Sequence, residues 1–407
     1  MVQSIFINPS GQTDLVPFHT FIWKIASRCN LNCTYCYVYN SVDNRWREQP
    51  RLISERVARQ TALRIREHCE SHDKHDAHIT FHGGEPLLGG VQHLEMLSSV
   101  IAETFADSGI NVGISMQSNG LLFTPEIGDL MLARRISMGI SLDGPPEVND
   151  LYRVDHQGKP TSTRLEERLS LLTSPRYRRI FNGFLCVINI ATDPLMVAKY
   201  LLSYNPRGID FLLPLNNYDR RPPGKESMID TTPYGDWLIK IFDYWLNQKN
   251  ETQIGIFISI IRQIFGLQSL RESLGLAPVD LIVVETNGDI EAVDSLKSTF
   301  HGATRLGYNV FENDFNTVAA DFAVRNRQSG AETLCQKCKD CPVVNICGGG
   351  YLPHRYSVER GFDNPSIYSA DLEKLIRHIH AVVFNQLENI QFKELKYVTS
   401  TNSFCSC

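Results

Sequence analysis

Short apolar, β-branched runs alternate with stretches of helical periodicity from residue 20 to about residue 250. Six runs read as strands: 21–26 (FIWKIA), 77–82 (AHITFH), 111–117 (NVGISMQ), 136–142 (ISMGISL), 182–189 (NGFLCVIN) and 208–214 (GIDFLLP). Between them, Ile53, Val57, Thr61, Ile65 and Cys69 fall on one helical face, as do Leu94, Leu97, Ile101 and Phe105. Asp193-Pro194 reads as a helix start, with Asp as the cap and Pro in the first turn. Residues 232–248 predict a further helix, and 370–389 the last one. Strands that alternate with helices predict a parallel α/β sheet. Six such units give a partial (β/α)6 TIM-like barrel, two units short of closure. The expected divisions are an N-terminal segment 1–20, the barrel 21–250, a bridging region with a cysteine-rich extension 251–385, and a tail 386–407. In such sheets reacting groups gather where strands end, so the loops after the strands are the places to search.

Composition narrows the class without naming it. The 407 residues are 43% hydrophobic and 21% charged, which excludes a disordered or collagen-like chain. Forty Lys and Arg against 45 Asp and Glu leave a net charge of −5, which offers no general attraction for nucleic acid or for an acidic membrane surface. No apolar run reaches the roughly 18 residues of a membrane span. The opening MVQSIFINPSGQTDLVPF lacks the basic-then-apolar pattern of a secretion signal, so the expected location is the cytoplasm.

Eleven cysteines change the picture, because they cluster. Cys29, Cys33 and Cys36 form C-x3-C-x2-C directly after the first strand. Cys335, Cys338, Cys341 and Cys347 form a second group, Cys405 and Cys407 a pair in the tail, and Cys69 and Cys186 stand apart. In a reducing compartment such grouping points to metal or redox work rather than disulfides. Thiolates select zinc, copper(I) or iron–sulfur clusters. A cubane takes four cysteines, so three on one short loop leave one iron open to a ligand. A structural zinc with His82 as an added ligand is the alternative.

The triplet, with Tyr35 before its third cysteine, resembles the radical S-adenosylmethionine (radical SAM) superfamily. The resemblance implies a 4Fe–4S cluster on Cys29, Cys33 and Cys36 whose open iron chelates SAM, and reductive cleavage to a 5′-deoxyadenosyl radical. Further strand ends fit in order. His82-Gly83-Gly84-Glu85-Pro86 is similar to the family's GGEP motif, which helps hold the methionine amino group. Its glycines are expected to let the backbone approach the ligand. Gln117-Ser118-Asn119-Gly120 and Ser141-Leu142-Asp143-Gly144 resemble the QTNG and SLDG segments. They imply contacts from Ser118 and Asn119, and ribose contacts from Ser141 and Asp143. Arg153 is the implied partner of the SAM carboxylate, and Asn189 and Leu213 lie on the adenine side.

The second group resembles the SPASM extension of radical SAM peptide maturases, which holds auxiliary clusters on seven cysteines. Val293, Tyr351 and Ser369 stand where three of those cysteines are expected. One cluster is therefore expected to be missing. The other is expected on Cys338, Cys341 and Cys347, with Cys335, Ser369, Cys405 or Cys407 as fourth ligand, and zinc in a four-cysteine cage is the alternative. NGDIEAVDSLK, CPVVNICGGGYLPHRYS and GFDNPSIYSADL are similar to the FxsB-type branch, which includes cyclophane-forming enzymes of ribosomally made peptides.

The resemblance implies a maturase that takes a Cβ hydrogen from a ribosomal precursor peptide and joins that carbon to an aromatic ring. Thioether formation, epimerisation or oxidation of a residue are the alternatives within the family. A non-catalytic cysteine-rich metal-binding protein is the alternative outside it. The implied partners are the precursor peptide and an electron donor such as flavodoxin or ferredoxin. Asp210, Glu285 and His354 are candidate bases by location, and the sequence assigns none of them. Only about 20 residues precede the first strand, too few for a separate leader-binding module of about 80–90 residues.

Overall fold

The computed structural model describes residues 15–248, 251–269 and 271–401, with side chains to residue 386. Ten strands form one sheet: β1 (Thr20–Ala26), β2 (Asp76–Gly83), β3 (Asn111–Ser118), β4 (Ile136–Ser141), β5 (Phe181–Val187), β6 (Gly208–Leu212), β7 (Gln253–Ile254), β8 (Leu281–Val284), β9 (Asp289–Glu291) and β10 (Arg305–Asn309). Their order is β10-β9-β8-β1-β2-β3-β4-β5-β6-β7. From β1 to β6 each strand pairs in parallel with the next, which is the expected partial barrel.

Helices α1 (Glu55–Ser71), α2 (Gly90–Phe105), α3 (Pro125–Arg134), α4 (Ser162–Leu172) and α5 (Pro194–Ser203) fill the connections between β1 and β6. Their starts follow capping chemistry. Ser54 and Thr124 accept from the backbone N–H three residues on, and Asp193 accepts from that of Leu195 as its Asp-Pro sequence predicts. Alternation along the strands sorts the two faces. In β4, Ile136, Met138 and Ile140 are buried, while Ser137, Gly139 and Ser141 are half-buried. The same alternation in β2 places Ala77, Ile79 and Phe81 in the core. His82, Gln117, Ser141 and Asp210 therefore stand on the inner face, around a cavity.

Helices α6 (Pro233–Leu246), α7 (Gly255–Ile264) and α8 (Ser369–Thr401) complete the fold, and α8 packs on both of the others. A buried ion pair fastens α8: Lys225 Nζ lies 2.6 Å from Asp371 Oδ2. Asp371 Oδ1 accepts from the N–H groups of Tyr234 and Gly235, so one carboxylate ties a loop, the first turn of α6 and α8 together.

Four strands lie beyond the six expected. The two-residue β7 extends the sheet past β6, and β8 pairs in parallel with β1 on the other side, followed by antiparallel β9 and β10. The sheet is thus continuous across residue 250. The fifth and sixth strands end at Val187 and Leu212, which leaves Asn189 and Leu213 on loops. Among the described residues, no helix is long and apolar enough to cross a membrane.

Candidate active site

The strands' C-terminal ends surround a cavity of about 600 Å³. Cys29, Cys33 and Cys36 line it from the loop after β1, and two contacts from the next strand end hold that loop. Gly84 N–H donates to the Ala26 carbonyl (2.7 Å) and Glu85 N–H to that of Arg28 (2.9 Å). The glycines are needed for this approach. A Cβ on Gly83, whose φ is +140°, would sit 2.0 Å from the Ala26 carbonyl oxygen. One on Gly84 would sit 2.2 Å from that of Arg28. Within the protein these glycines make way for the cysteine loop's own backbone, and both also line the cavity.

Burial pushes all three thiols up, Cys29 to about 12. Thiols buried this way ionise when a metal takes the place of the proton, and binding then releases protons. Three free thiols on one wall of a cavity large enough for a nucleoside fit an iron–sulfur cluster with an open corner.

Glu85 lies behind this wall, fully buried. Its Oε1 accepts from Ser118 Oγ (2.7 Å) and Leu87 N–H (3.0 Å), and its Oε2 from Asn119 N–H (2.8 Å). It therefore joins the turns after β2 and β3. Asn119 Nδ2 donates in turn to Asn30 Oδ1 (2.8 Å), beside Cys29. Across the cavity, Arg153 Nη1 donates to Tyr35 Oη (2.8 Å), Tyr35 donates to Asp143 Oδ2 (2.5 Å), and Asp143 Oδ1 accepts from Val187 N–H (2.9 Å). Burial pushes the Asp143 carboxyl up, and Arg153 opposes the shift. Ser141 Oγ accepts from Gln117 Nε2 (2.8 Å).

Of the cofactor residues expected from the motifs, Gly83, Gly84, Ser118, Asn119, Ser141, Asp143, Arg153 and Leu213 line the cavity. Asn189 does not. Its Oδ1 accepts from Ala191 N–H and its carbonyl from Thr192 Oγ1, a turn that leads into α5.

The wall nearest β8 carries a group that the sequence reading passed over. Asp294 lines the cavity, ion-paired with Lys24 and 3.8 Å from His82 Nδ1. The ammonium groups of Lys24 and Lys297 hold its carboxyl down at about 2 against the opposing effect of burial. Behind it, Lys297 Nζ lies 2.6 Å from Glu285 and 3.3 Å from Glu291, and Arg45 lies 2.8 Å from Glu291. Oxygens of Glu285, Glu291 and Asp294 come within 4.8 Å of one another, and these side-chain cations already neutralise them. Glu285 is therefore an ion-pair partner behind the wall. Asp210 lines the cavity paired with Arg271, and His354 lines it between Tyr351 and Tyr368, its pKa lowered by burial to about 3. The available signal for Asp294 was its place directly after Val293, in the segment where a cluster cysteine is expected.

The second cysteine group does not line the cavity. Cys335, Cys338 and Cys347 are buried and Cys341 half-buried, all as free thiols. Val293 packs with Leu296, Tyr356 and Phe362, and Tyr351 Oη lies 2.5 Å from Ser295 Oγ. Ser369 opens α8. Cys405 and Cys407 lie outside the described residues.

Residues 23–180 match the radical SAM superfamily model. The chain is 24% identical over 389 residues to the cysteine-type anaerobic sulfatase-maturating enzyme of Clostridium perfringens, covering 92% of this chain and all of that one. It is 25% identical over 353 residues to the serine-type enzyme of Klebsiella pneumoniae, covering 83% of this chain and 82% of that one. The solved structure of anSMEcpe with bound AdoMet superposes with a TM-score of 0.77 at 23% identity, covering 91% of this chain and 99% of that one. Streptococcus suis SuiB bound to precursor peptide SuiA superposes at 0.55 with 12% identity, over 87% of this chain and 76% of that one. Residues 23–180 thus form a radical SAM domain, whose cofactors are S-adenosylmethionine and a 4Fe–4S cluster, within a chain similar along most of its length to anaerobic sulfatase-maturating enzymes.

Proposed function

We propose that the protein is a radical SAM maturase that oxidises a cysteine or serine side chain of a peptide or protein substrate by two electrons. The likeness to cysteine-type and serine-type maturating enzymes suggests the residue class. The observation that carries the reading is the cavity, with the thiols of Cys29, Cys33 and Cys36 on one wall and the Asp294 carboxylate on another. When bound, the cluster and SAM supply a primary carbon radical able to take hydrogen from an unactivated carbon. The chain's residues do the rest. The three cysteines hold the cluster, and Asn119, Ser141, Asp143, Arg153 and Leu213 surround the nucleoside. The substrate carbon loses one hydrogen atom and then one electron to an external acceptor, and the adjoining O–H or S–H gives up one proton. Asp294 takes that proton, because its carboxylate lines the same cavity as the three thiols. Leu185, Val187, Phe211 and Leu212 line the cavity and keep water from the reacting carbon. A donor of the flavodoxin or ferredoxin class supplies the priming electron. In this reading residues 21–250 are the catalytic barrel and 251–385 the bridging and auxiliary-cluster region.

A second reading is the carbon–carbon crosslink to an aromatic ring. Phe211, Leu215, Val293 and Tyr351 favour it, since together they line the cavity with an apolar and aromatic surface on which a substrate ring can lie. One experiment separates the readings. Anaerobically reconstituted protein is given reductant, SAM and peptides carrying Cys, Ser or paired aromatic residues. Oxidation leaves an aldehyde, directly from Ser and from Cys once water hydrolyses the thioaldehyde and releases hydrogen sulfide, and a hydrazide traps it. A crosslink loses two hydrogens and leaves no aldehyde. Iron-loaded protein that yields no 5′-deoxyadenosine sinks both readings and leaves a metal-binding protein.

A further inference from the structure

Arg355 is buried, and its guanidinium is held by main chain alone. Nε donates to the Gly349 carbonyl (3.0 Å), and Nη2 to those of Gly348 (2.7 Å) and Gly350 (2.8 Å). The three glycines have φ of 61°, 75° and 68°, a backbone that turns successive carbonyls toward one cation. The fit leaves no room for side chains there. A Cβ on Gly348 would lie 1.8 Å from the Gly275 carbonyl oxygen, and one on Gly349 2.9 Å from Arg355 Nη2. Carbonyl dipoles solvate a charge without cancelling it. Among the described residues no carboxylate acts on Arg355, and its charge partners are Cys338, Cys347 and Cys335. A buried cation held by carbonyls, with thiols beside it and no carboxylate partner, favours negative charge on those sulfurs.

We propose that Cys335, Cys338, Cys341 and Cys347 together hold one iron–sulfur cluster, with Cys335 as the fourth ligand, and that Arg355 is the counter-charge that holds its reduction potential up. Cys335 and Cys338 share one small buried apolar cluster with Leu334, and Cys338 N–H donates to the Cys335 carbonyl (3.0 Å). Ser369 instead opens α8, with its N–H on the Ser366 carbonyl. A thiolate is also a better iron ligand than a hydroxyl. Four thiolates on an iron–sulfur core carry net negative charge that grows on reduction. A fixed positive charge in a low-dielectric setting therefore favours the reduced form.

The test isolates the second site and does not depend on which peptide is modified. Full-length protein with Cys29→Ala, Cys33→Ala and Cys36→Ala is reconstituted anaerobically with iron and sulfide. Adding Ser369→Ala should leave the bound iron unchanged, and adding Cys335→Ala should strip it. The reverse pattern overturns the ligand assignment. Adding Arg355→Gln should lower the ratio of reduced to oxidised cluster about tenfold at a fixed potential, equivalent to about 59 mV for one electron, read by electron paramagnetic resonance. Arg355→Lys should restore most of that ratio. A loaded Arg355→Gln protein with unchanged potential overturns the counter-charge. Where Arg355→Gln takes up no iron, Arg355→Lys decides. A potential near that of the parent sustains the proposal, and a failure of both to load overturns it.

Discussion

Tyr35 Oη lies 2.5 Å from Asp143 Oδ2, so the aromatic residue just ahead of the third cysteine is bonded to the loop at the end of β4. Arg153 reaches the same hydroxyl. One phenol thus links the cluster loop to two residues expected around the nucleoside.

Replacing that phenol tests the link. Tyr35→Phe leaves Asp143 and Arg153 each short of a buried partner, a loss of about 1–3 kcal/mol. The expected outcome is weaker SAM binding with bound iron retained, measured by isothermal titration on reconstituted protein. Unchanged affinity would show that the link is not used.

Gly84→Ala should strip the first cluster. The new methyl would meet the Tyr39 hydroxyl 1.9 Å away as well as Arg28 backbone. Overpacking of this kind costs about 1–3 kcal/mol, and here it falls on the loop that carries the thiols. Iron counting on the variant checks it, with the Cys335 group as the internal reference.

Asp294 carries an acid signature. Its folded pKa of about 2 lies below the ordinary value of 3.8. A depressed carboxyl contributes stability that is complete above its unfolded pKa and is lost as pH falls through the folded one. Acid unfolding of the wild type should therefore steepen between about pH 4 and pH 2, and Asp294→Asn should flatten that part of the curve. The same variant should cleave SAM and fail to release modified peptide. Full peptide turnover by Asp294→Asn would remove it from the mechanism.

Lys225→Met separates stability from chemistry. Breaking a buried pair by removing one partner costs about 3–5 kcal/mol, and Asp371 would be left anchored only by two N–H groups and unpaired in charge. Thermal unfolding should report a large drop in Tm, while SAM cleavage per folded molecule stays unchanged.

The core of the barrel was legible because its signals are local. The strand at 136–142 shows its period of two, and the Asp193-Pro194 start is a cap whose partner is two residues away. The glycines of the GGEP turn were also legible as necessary, yet the protein atoms that demand them were not. The atoms they avoid belong to Ala26 and Arg28, nearly 60 residues earlier, and no local pattern encodes that approach. β8 was missed for a similar reason: four residues, LIVV, form a strand here because β1 offers them an edge. Asp294 escaped because its meaning comes from Lys24 on β1, more than 250 residues away. Around Asn189 the apolar run reads two residues past the strand, which ends at Val187, because the turn that follows is closed by the Asn189 side chain on Ala191 N–H.

Because β8 pairs with β1 and β9 with β8, the thiol triplet after β1 and Asp294 just after β9 are carried by one continuous sheet. The chamber's floor cannot hinge between them. Admission of a polypeptide then falls to the loops that line the cavity, residues 213–216 and 271–274 among them. A crosslink that tied those two segments together would shut the enzyme to long substrates while leaving its small-molecule chemistry intact.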